Sequence, residues 1–414
     1  MLSHFKQIHL SLLASFVVFV SSCTQKLPNY PPAYREYAYV TNGRSNSVSV
    51  LDMRNYKAVA TIPVGANPTG VAANSQKNEI YVVNTGSNSL SVIDAEQNKA
   101  IAIIALEHTP YFVDVSADGT RAYVANSGSN SVSIIDLPQR RVVRNVVVGR
   151  APGEARVSRD GKTIVVTERL ADSVSVINAE TMSVRSSVAV CKQPTDVEIL
   201  PDSGKAFVAC SGSGQVAVIG LNMESPTESQ QLTAKSGAAI RRSGPAPGKG
   251  AGSEVDRLLS ILDVGSTPTH LALKPDGGQI FVSNFGANTM SEITTSTNEV
   301  SGSYLIGAGP VRSIVSADNS TLYVSNFNSD TISVYDIDDG KLVTTVPVGR
   351  RPDALALSPN QNFLFVADTA AGDVSVVRTA AKQGAVLLTI IPVGQQPNAI
   401  AVKAFILRKP PAVQ

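Results

Sequence analysis

The sequence contains no tryptophan, and only 5% of its 414 residues are aromatic. Flat platforms on which bases or sugar rings could stack are therefore scarce. An excess of either charge is also missing, since 35 Lys and Arg stand against 33 Asp and Glu. Nucleic-acid binders usually carry a strong basic surplus, so a nucleic-acid partner is not expected. Histidines number four, and His4 and His9 fall in a leader, leaving His108 and His270. That is too few for a His-rich metal centre, and no metal site is expected. No Cys-x-x-Cys-His, His-Glu-x-x-His or Gly-x-Ser-x-Gly pattern occurs, which removes covalent heme attachment, zinc-protease chemistry and the common serine nucleophile turn. Asp336-Ile337-Asp338-Asp339-Gly340 lacks the spacing and the later Glu of a calcium loop. No apolar stretch reaches the roughly 20 residues needed to span a bilayer.

What the N-terminus does have is a single Lys6, an apolar-dominated run from Leu10 to Val20, and then Ser21, Ser22 and Cys23. This reads as a signal peptide over residues 1–22. Val20-Ser21-Ser22-Cys23 resembles a bacterial lipobox, which implies lipidation at Cys23 and a membrane partner through the N-terminal lipid. Thr24 follows in place of an aspartate, so the resemblance implies the outer membrane, facing the periplasm or the cell surface. Residues 23–36 are read as a tether.

Beyond the tether a repeat emerges. Tyr39-Val40-Thr41-Asn42 returns as Tyr81-Val82-Val83-Asn84, Tyr123-Val124-Ala125-Asn126, Val165-Val166-Thr167-Glu168 and Phe207-Val208-Ala209-Cys210, each 42 residues after the last. It continues at Phe281–Asn284, Tyr323–Asn326 and Phe365–Asp368 after one gap of 74 residues. A fixed period of this length marks a repeat architecture. Each copy divides into four short β-branched runs, strands a to d, separated by turn residues. Between b and c, one position holds only Asn46, Asn88, Asn130, Asp172, Gly214, Asn288, Asp330 and Gly372, residues that tolerate a left-handed backbone.

The first unit lacks a strand a, and the chain ends in Pro397–Val402, a strand a with no unit after it. Closure of the ring by the C-terminus is thus expected, giving an all-β propeller of eight four-stranded blades over residues 37–408, with seven blades as the alternative. The long gap is read as a disordered Ser/Gly/Pro-rich insertion at about 223–254, between strands c and d of the fifth blade. Residues 409–414 form a tail.

By resemblance, the Tyr-Val-Thr-Asn repeat with Asn46–Val50 and Ile62-Pro63-Val64-Gly65 is similar to the YVTN family of β-propellers. The likeness implies the fold but spans surface-layer components, exported binding proteins, and relatives of lactonases and cytochrome d1-type domains.

The internal copies locate a candidate site. Two residues after the proline that opens strand a stand Glu154, Asp196, His270 and Arg312 in four successive copies. Two residues before it stand Arg150, Lys192 and Arg350, with Arg351 adjacent. Strand a lines the channel of a propeller, so both rows are expected to ring its mouth and grip a small polar or anionic ligand. Glu168, beside Arg169, is read as half of an exposed ion pair. Cys191 and Cys210 share that face, and a disulfide between them is left open. The reading is a monomeric, non-catalytic envelope module for a protein partner or a small ligand, with no catalytic residue and no cofactor. The alternative is a lactonase-like hydrolase or a cytochrome d1-like propeller binding a tetrapyrrole.

Overall fold

Alternating Ser and Val, as in Ser47–Asp52 and Ser89–Asp94, build strands whose residues are nearly all buried. Period-two alternation sends Ser to one face and Val to the other. Such strands sit centrally in antiparallel sheets, where both faces are covered.

The computed structural model describes residues 31–224, 254–379 and 384–407. Within them eight four-stranded antiparallel sheets form a ring. Blade 1 takes strand b (Tyr34–Asn42), c (Ser47–Asp52) and d (Lys57–Pro63) from the N-terminal side and strand a (Pro397–Ile406) from the C-terminal side. The closing pair runs from Tyr34 opposite Ile406 to Thr41 opposite Ala399. Blades 2 to 8 follow, with a strands Pro68–Ala73, Pro110–Val115, Pro152–Val157, Pro194–Ile199, Pro268–Leu273, Pro310–Val315 and Pro352–Leu357. Eight blades, not seven, close the ring.

The leader, Cys23, the tether up to residue 30, most of the insertion and the tail lie outside the described residues. At the insertion's roots, Met223 pairs with Val255 and Glu224 with Glu254, so strands c and d of blade 5 extend into the range assigned to it.

Blade packing is carried by the aromatic residue that opens every strand-b motif but that of blade 4, where Val165 stands. Tyr39, Tyr81, Tyr123, Phe207, Phe281 and Phe365 are buried, and Tyr39 packs with Ile80, Val82 and Ile93 of the next blade. Each such burial contributes roughly 1.5–3 kcal/mol.

The b–c position adopts φ near +50° to +77° in every copy. Its side chain also reaches the neighbouring loop. Asn46 Oδ1 accepts from Asn67 N at 2.9 Å, Asn130 Oδ1 from Ala151 N at 2.9 Å and Asp330 Oδ1 from Arg351 N at 2.8 Å. Where the position holds Asn or Asp, it therefore serves both the left-handed turn and a brace on the d–a loop.

The residue ending strand b is a buried hub. Asn84 Nδ2 donates to Ser89 and Ser91, and Asn326 Nδ2 donates to Thr331 and Ser333. Glu168 takes the same place with the polarity reversed, accepting from Ser173, Ser175 and Gly149 N. It is 1% exposed, so the expected surface pair with Arg169 is not what the fold makes of it.

Candidate functional site

Each strand a begins at a proline and runs down the wall of the central channel. All four positions after the proline contribute to its lining, as Thr69, Gly70 and Val71 of blade 2 and Glu154 and Arg156 of blade 4 illustrate, and the pairing with strand b shifts register just after the proline. The channel holds a cavity of about 900 Å³, at the upper end of the size that ligand sites occupy. Asn67 and Tyr111 are exposed at its rim.

Its wall is divided in two. Blades 8, 1 and 2 contribute Ala354, Leu355, Ala399, Ile400, Gly70 and Val71. Blades 4 to 7 contribute Glu154, Arg156, Glu198, His270 and Arg312, and Asp353 and Phe112 complete the polar half from either side. One half is uncharged, its small apolar residues accompanied by Thr69 and Asn398; the other is densely charged.

Within the charged half, Arg156 is the centre. Its Nε lies 3.6 Å from Glu154 Oε2 and its Nη2 lies 3.7 Å from Glu198 Oε1. Its guanidinium carbon sits 4.6 Å from the Phe112 ring centroid, a cation–π contact. Arg312 Nε stands 3.6 Å from Asp353 Oδ1. None of the three pairs is at hydrogen-bond distance, and Arg156 Nε and Glu154 Oε2 have no hydrogen-bond partner at all. The two guanidiniums therefore keep donors for a ligand.

Asp196 is 1% exposed. Its Oδ2 accepts from Leu271 N at 2.7 Å and its Oδ1 from Val197 N at 3.0 Å, so its carboxylate fastens blade 5 to blade 6. His270 Nδ1 accepts from Ser313 N at 3.4 Å, which assigns the neutral ring's proton to Nε2.

These surroundings drive the titrations apart. Burial disfavours ionisation of Glu154 and the neighbouring Asp196 charge adds to it, holding its carboxyl well above the usual range despite Arg156. Burial also acts against Asp196, but His270, the contact with Glu154 and the two arginines outweigh it and hold Asp196 at about 2. Glu198 is pushed up to about 7 by burial, against the pull of Arg156. His270 is pushed down to about 4 by burial, with Arg312 assisting and Asp196 opposing. Such divergence is a mark of functional sites.

Of the residues singled out from sequence, Glu154, Asp196, His270 and Arg312 do converge, though inside the channel and not around an exposed mouth. Arg150, Lys192 and Arg350 do not join them: all three are exposed on d–a loops and none lines the cavity. Arg150 donates to Leu170 O at 2.7 Å, and Arg351 lies over Phe327 at 5.4 Å. Arg156 and Glu198 were missed. Stepping the second-position row by two residues would have found them, since the strand period brings the fourth position to the same wall. Asp353 sits one position after its proline, as Thr69, Tyr111 and Asn398 do, and all four line the cavity.

Cys191 and Cys210 are joined, with Cα atoms 5.6 Å apart. Among the described residues, no three His, Cys, Asp or Glu side chains gather as metal ligands.

Two family models match parts of the chain. That of the Cytochrome D1 heme domain matches residues 74–212, about a third of the sequence, and includes Glu154, Arg156, Asp196 and Glu198. That of the Lactonase, 7-bladed beta-propeller, matches residues 294–402. No curated protein matches the chain. Among solved structures, the chain is similar to dihydro-heme d1 dehydrogenase NirN in complex with DHE, with a TM-score of 0.67 and 12% identity over 88% of this chain and 74% of that one. It is also similar to Kuenenia stuttgartiensis hydrazine synthase, with a TM-score of 0.56 and 20% identity over 76% of this chain and 96% of that one. A functionally unknown protein from Desulfotomaculum acetoxidans DSM 771 aligns with a TM-score of 0.57 and 15% identity, over 78% and 98% of the two chains. At these identities the structural likeness speaks for the propeller fold.

The expectation of a non-catalytic interaction module without a cofactor is overturned by these findings. The heme-domain match covers the part of the charged wall that carries Glu154, Arg156 and Glu198 and ends before His270 and Arg312. The alternative, a propeller of cytochrome d1-like type, is the better supported. Composition and missing motifs argued only against covalent heme attachment, and a tetrapyrrole held by side chains in a channel leaves no such motif.

Proposed function

We propose that the channel cavity holds a non-covalently bound tetrapyrrole of the d1 type, and that the chain is an exported, lipid-anchored propeller of YVTN-like repeats. The observation that carries this reading is the two-sided cavity. A tetrapyrrole is a broad apolar ring edged with carboxylates. The apolar arc of Ala354, Leu355, Ala399, Ile400, Gly70 and Val71 suits the ring, and Arg156 and Arg312 suit the carboxylates. The unpartnered Arg156 Nε and Glu154 Oε2 are the kind of buried groups that a ligand satisfies.

In this assignment Arg156 and Arg312 anchor carboxylates, Phe112 holds Arg156 in place, and His270 offers an Nε2–H donor from the wall. A bound d1-type tetrapyrrole would supply electron-transfer and small-ligand chemistry at its metal. The chain's own part is to bind, orient and supply protons. The lipobox-like Cys23 and its leader support attachment to a membrane surface, which keeps the propeller outside the cytoplasm.

The test is an absorbance titration of purified protein with hemin, alongside native mass spectrometry of protein released gently from its own membrane. A one-to-one shift of the main absorbance band, weakened by Arg312→Ala, is expected, as is a chromophore in the native sample. Protein that carries no chromophore and binds no hemin would sink the proposal.

A further inference from the structure

Glu154 and Asp196 are two carboxyl groups from the a strands of neighbouring blades, both almost completely buried and within electrostatic reach of one another. Two carboxylates so placed cannot both ionise freely, because like charges in a poorly solvated site repel strongly. Asp196 has its charge fixed by two backbone donors, Leu271 N and Val197 N. Glu154 has no such support: its backbone N is bonded to Thr167 Oγ1, but its Oε2 has no hydrogen-bond partner. The proton of the pair therefore belongs on Glu154, which lines the cavity, while Asp196 does not.

From this geometry we propose that Glu154 is the proton donor of the cavity, with Asp196 as the positioning residue that keeps it protonated. The proposal rests on the cavity's being the ligand seat. The charged groups around the pair fit that role. Arg156 lies on Glu154's own strand, Glu198 on that of Asp196, and His270 and Arg312 face the pair from blades 6 and 7. From blade 3, Asp114 accepts from Val157 N at 3.0 Å and lies within electrostatic reach of Arg156. From blade 8, Asp353 partners Arg312.

The step is simple. The O–H bond of Glu154 breaks, the proton moves to an electron-rich oxygen or nitrogen of the seated ligand, and the electron pair stays on the carboxylate. The pair is then doubly negative, and Arg156 and Arg312 balance it until a proton returns from solvent through the open rim. A pair of carboxyls sharing one proton is a known chemical means of keeping an acid ready near neutral pH.

Infrared difference spectroscopy of the ligand-free full chain decides the matter. The expected result at pH 7 is a protonated-carboxyl C=O band that disappears in Glu154→Gln. In Asp196→Asn, where the like charge is gone, the band should titrate at lower pH. Absence of any Glu154-dependent band, in folded protein, overturns the proposal. Hemin supplies the second arm. A shift of the band on binding shows the proton engaged by the ligand, and an unmoved band in the loaded protein overturns the donor role while leaving the tetrapyrrole reading intact. Conversely, a band present in protein that binds no hemin supports the acid pair and overturns the tetrapyrrole reading.

Discussion

Cys191 and Cys210 are bonded at the two positions where four other copies place a glycine against an asparagine. At Gly65 a first side-chain carbon would stand 2.7 Å from Asn84 Cβ, and at Gly265 it would stand 2.6 Å from Asn284 Cβ. Glycine avoids that contact in six of the eight copies, with Glu107 and Cys191 the exceptions. A covalent bond resolves the conflict, because two sulfurs approach far closer than two unbonded atoms can. The disulfide is thus a coordinated replacement of a steric contact.

Reduction should therefore destabilise blade 5 and its contact with blade 4. Closing a loop of this size restricts the unfolded chain by about 3 kcal/mol in the entropy model. The melting temperature should fall on adding reductant, and the double change Cys191→Gly with Cys210→Asn should melt near the reduced protein and ignore reductant. Equal melting with and without reductant in the parent protein would refute the structural role.

The closing strand leads to a second expectation. Pro397–Ile406 pairs along the whole of Tyr34–Asn42, and Phe405 packs among Tyr39, Val48 and Ile80. Deleting from Asn398 onward exposes a strand edge and empties that core, and the loss of a buried Phe alone costs about 3–5 kcal/mol. Thermal unfolding of the truncated chain should begin much earlier, and hydrogen exchange should rise first in Tyr34–Asn42. An unchanged melting curve would contradict closure.

Much of this was legible before any coordinates. The eight-fold count, the missing first strand and the orphan last strand state the topology, because a repeat that cannot bury its own faces must stack and close. The left-handed b–c turns could be read from three residue types at one position. Less legible was what happens when a consensus residue changes. Glu168 beside Arg169 looks like a surface pair in one dimension, yet the hub it enters is built from Ser173, Ser175 and Gly149 N, which only the folded sheet brings together. The cavity's second charged row was hidden for a different reason. Arg156 and Glu198 differ from their counterparts in the other copies no more visibly than a solvated surface charge would. The cofactor class, in turn, is written in no motif.

A third expectation concerns Asp368, the acid at the asparagine position of blade 8. It is buried, it contacts Asp373, and burial pushes it up to about 8, with Asp373 adding to the rise and Ser375 and Gly349 N opposing. An acid whose pKa is raised on folding stabilises the fold fully below its unfolded value and loses that contribution as pH climbs through the folded value. Stability should decline between about pH 4 and pH 8 on this account. Asp368→Asn, which restores the residue of most copies, should raise stability at pH 8 by on the order of 1 kcal/mol and leave it nearly unchanged at pH 4. Denaturant midpoints at the two pH values provide the check; a pH-independent difference would assign the effect to packing.

The two arginines of the cavity should differ when removed, because their neighbours differ. Arg312 is partly exposed and shares its charge with Asp353 alone at close range. Arg312→Ala should leave the fold intact and weaken hemin by about 10–100-fold, the loss of one charge-assisted contact of about 1.5–3 kcal/mol. Arg156 stands between Glu154 and Glu198 against Phe112, so its removal leaves buried carboxyls without their counter-charge. Arg156→Ala should therefore lower both affinity and melting temperature. The temperature loss should be greatest above pH 7, where Glu198, held at about 7 while Arg156 is present, would otherwise carry a paired charge. Raising the proton concentration neutralises the stranded carboxyls, so acidification should restore much of the variant's stability but not its hold on a carboxylate-bearing ligand. If acid restores binding as well, Arg156 serves the fold of the wall and Arg312 alone anchors the ligand.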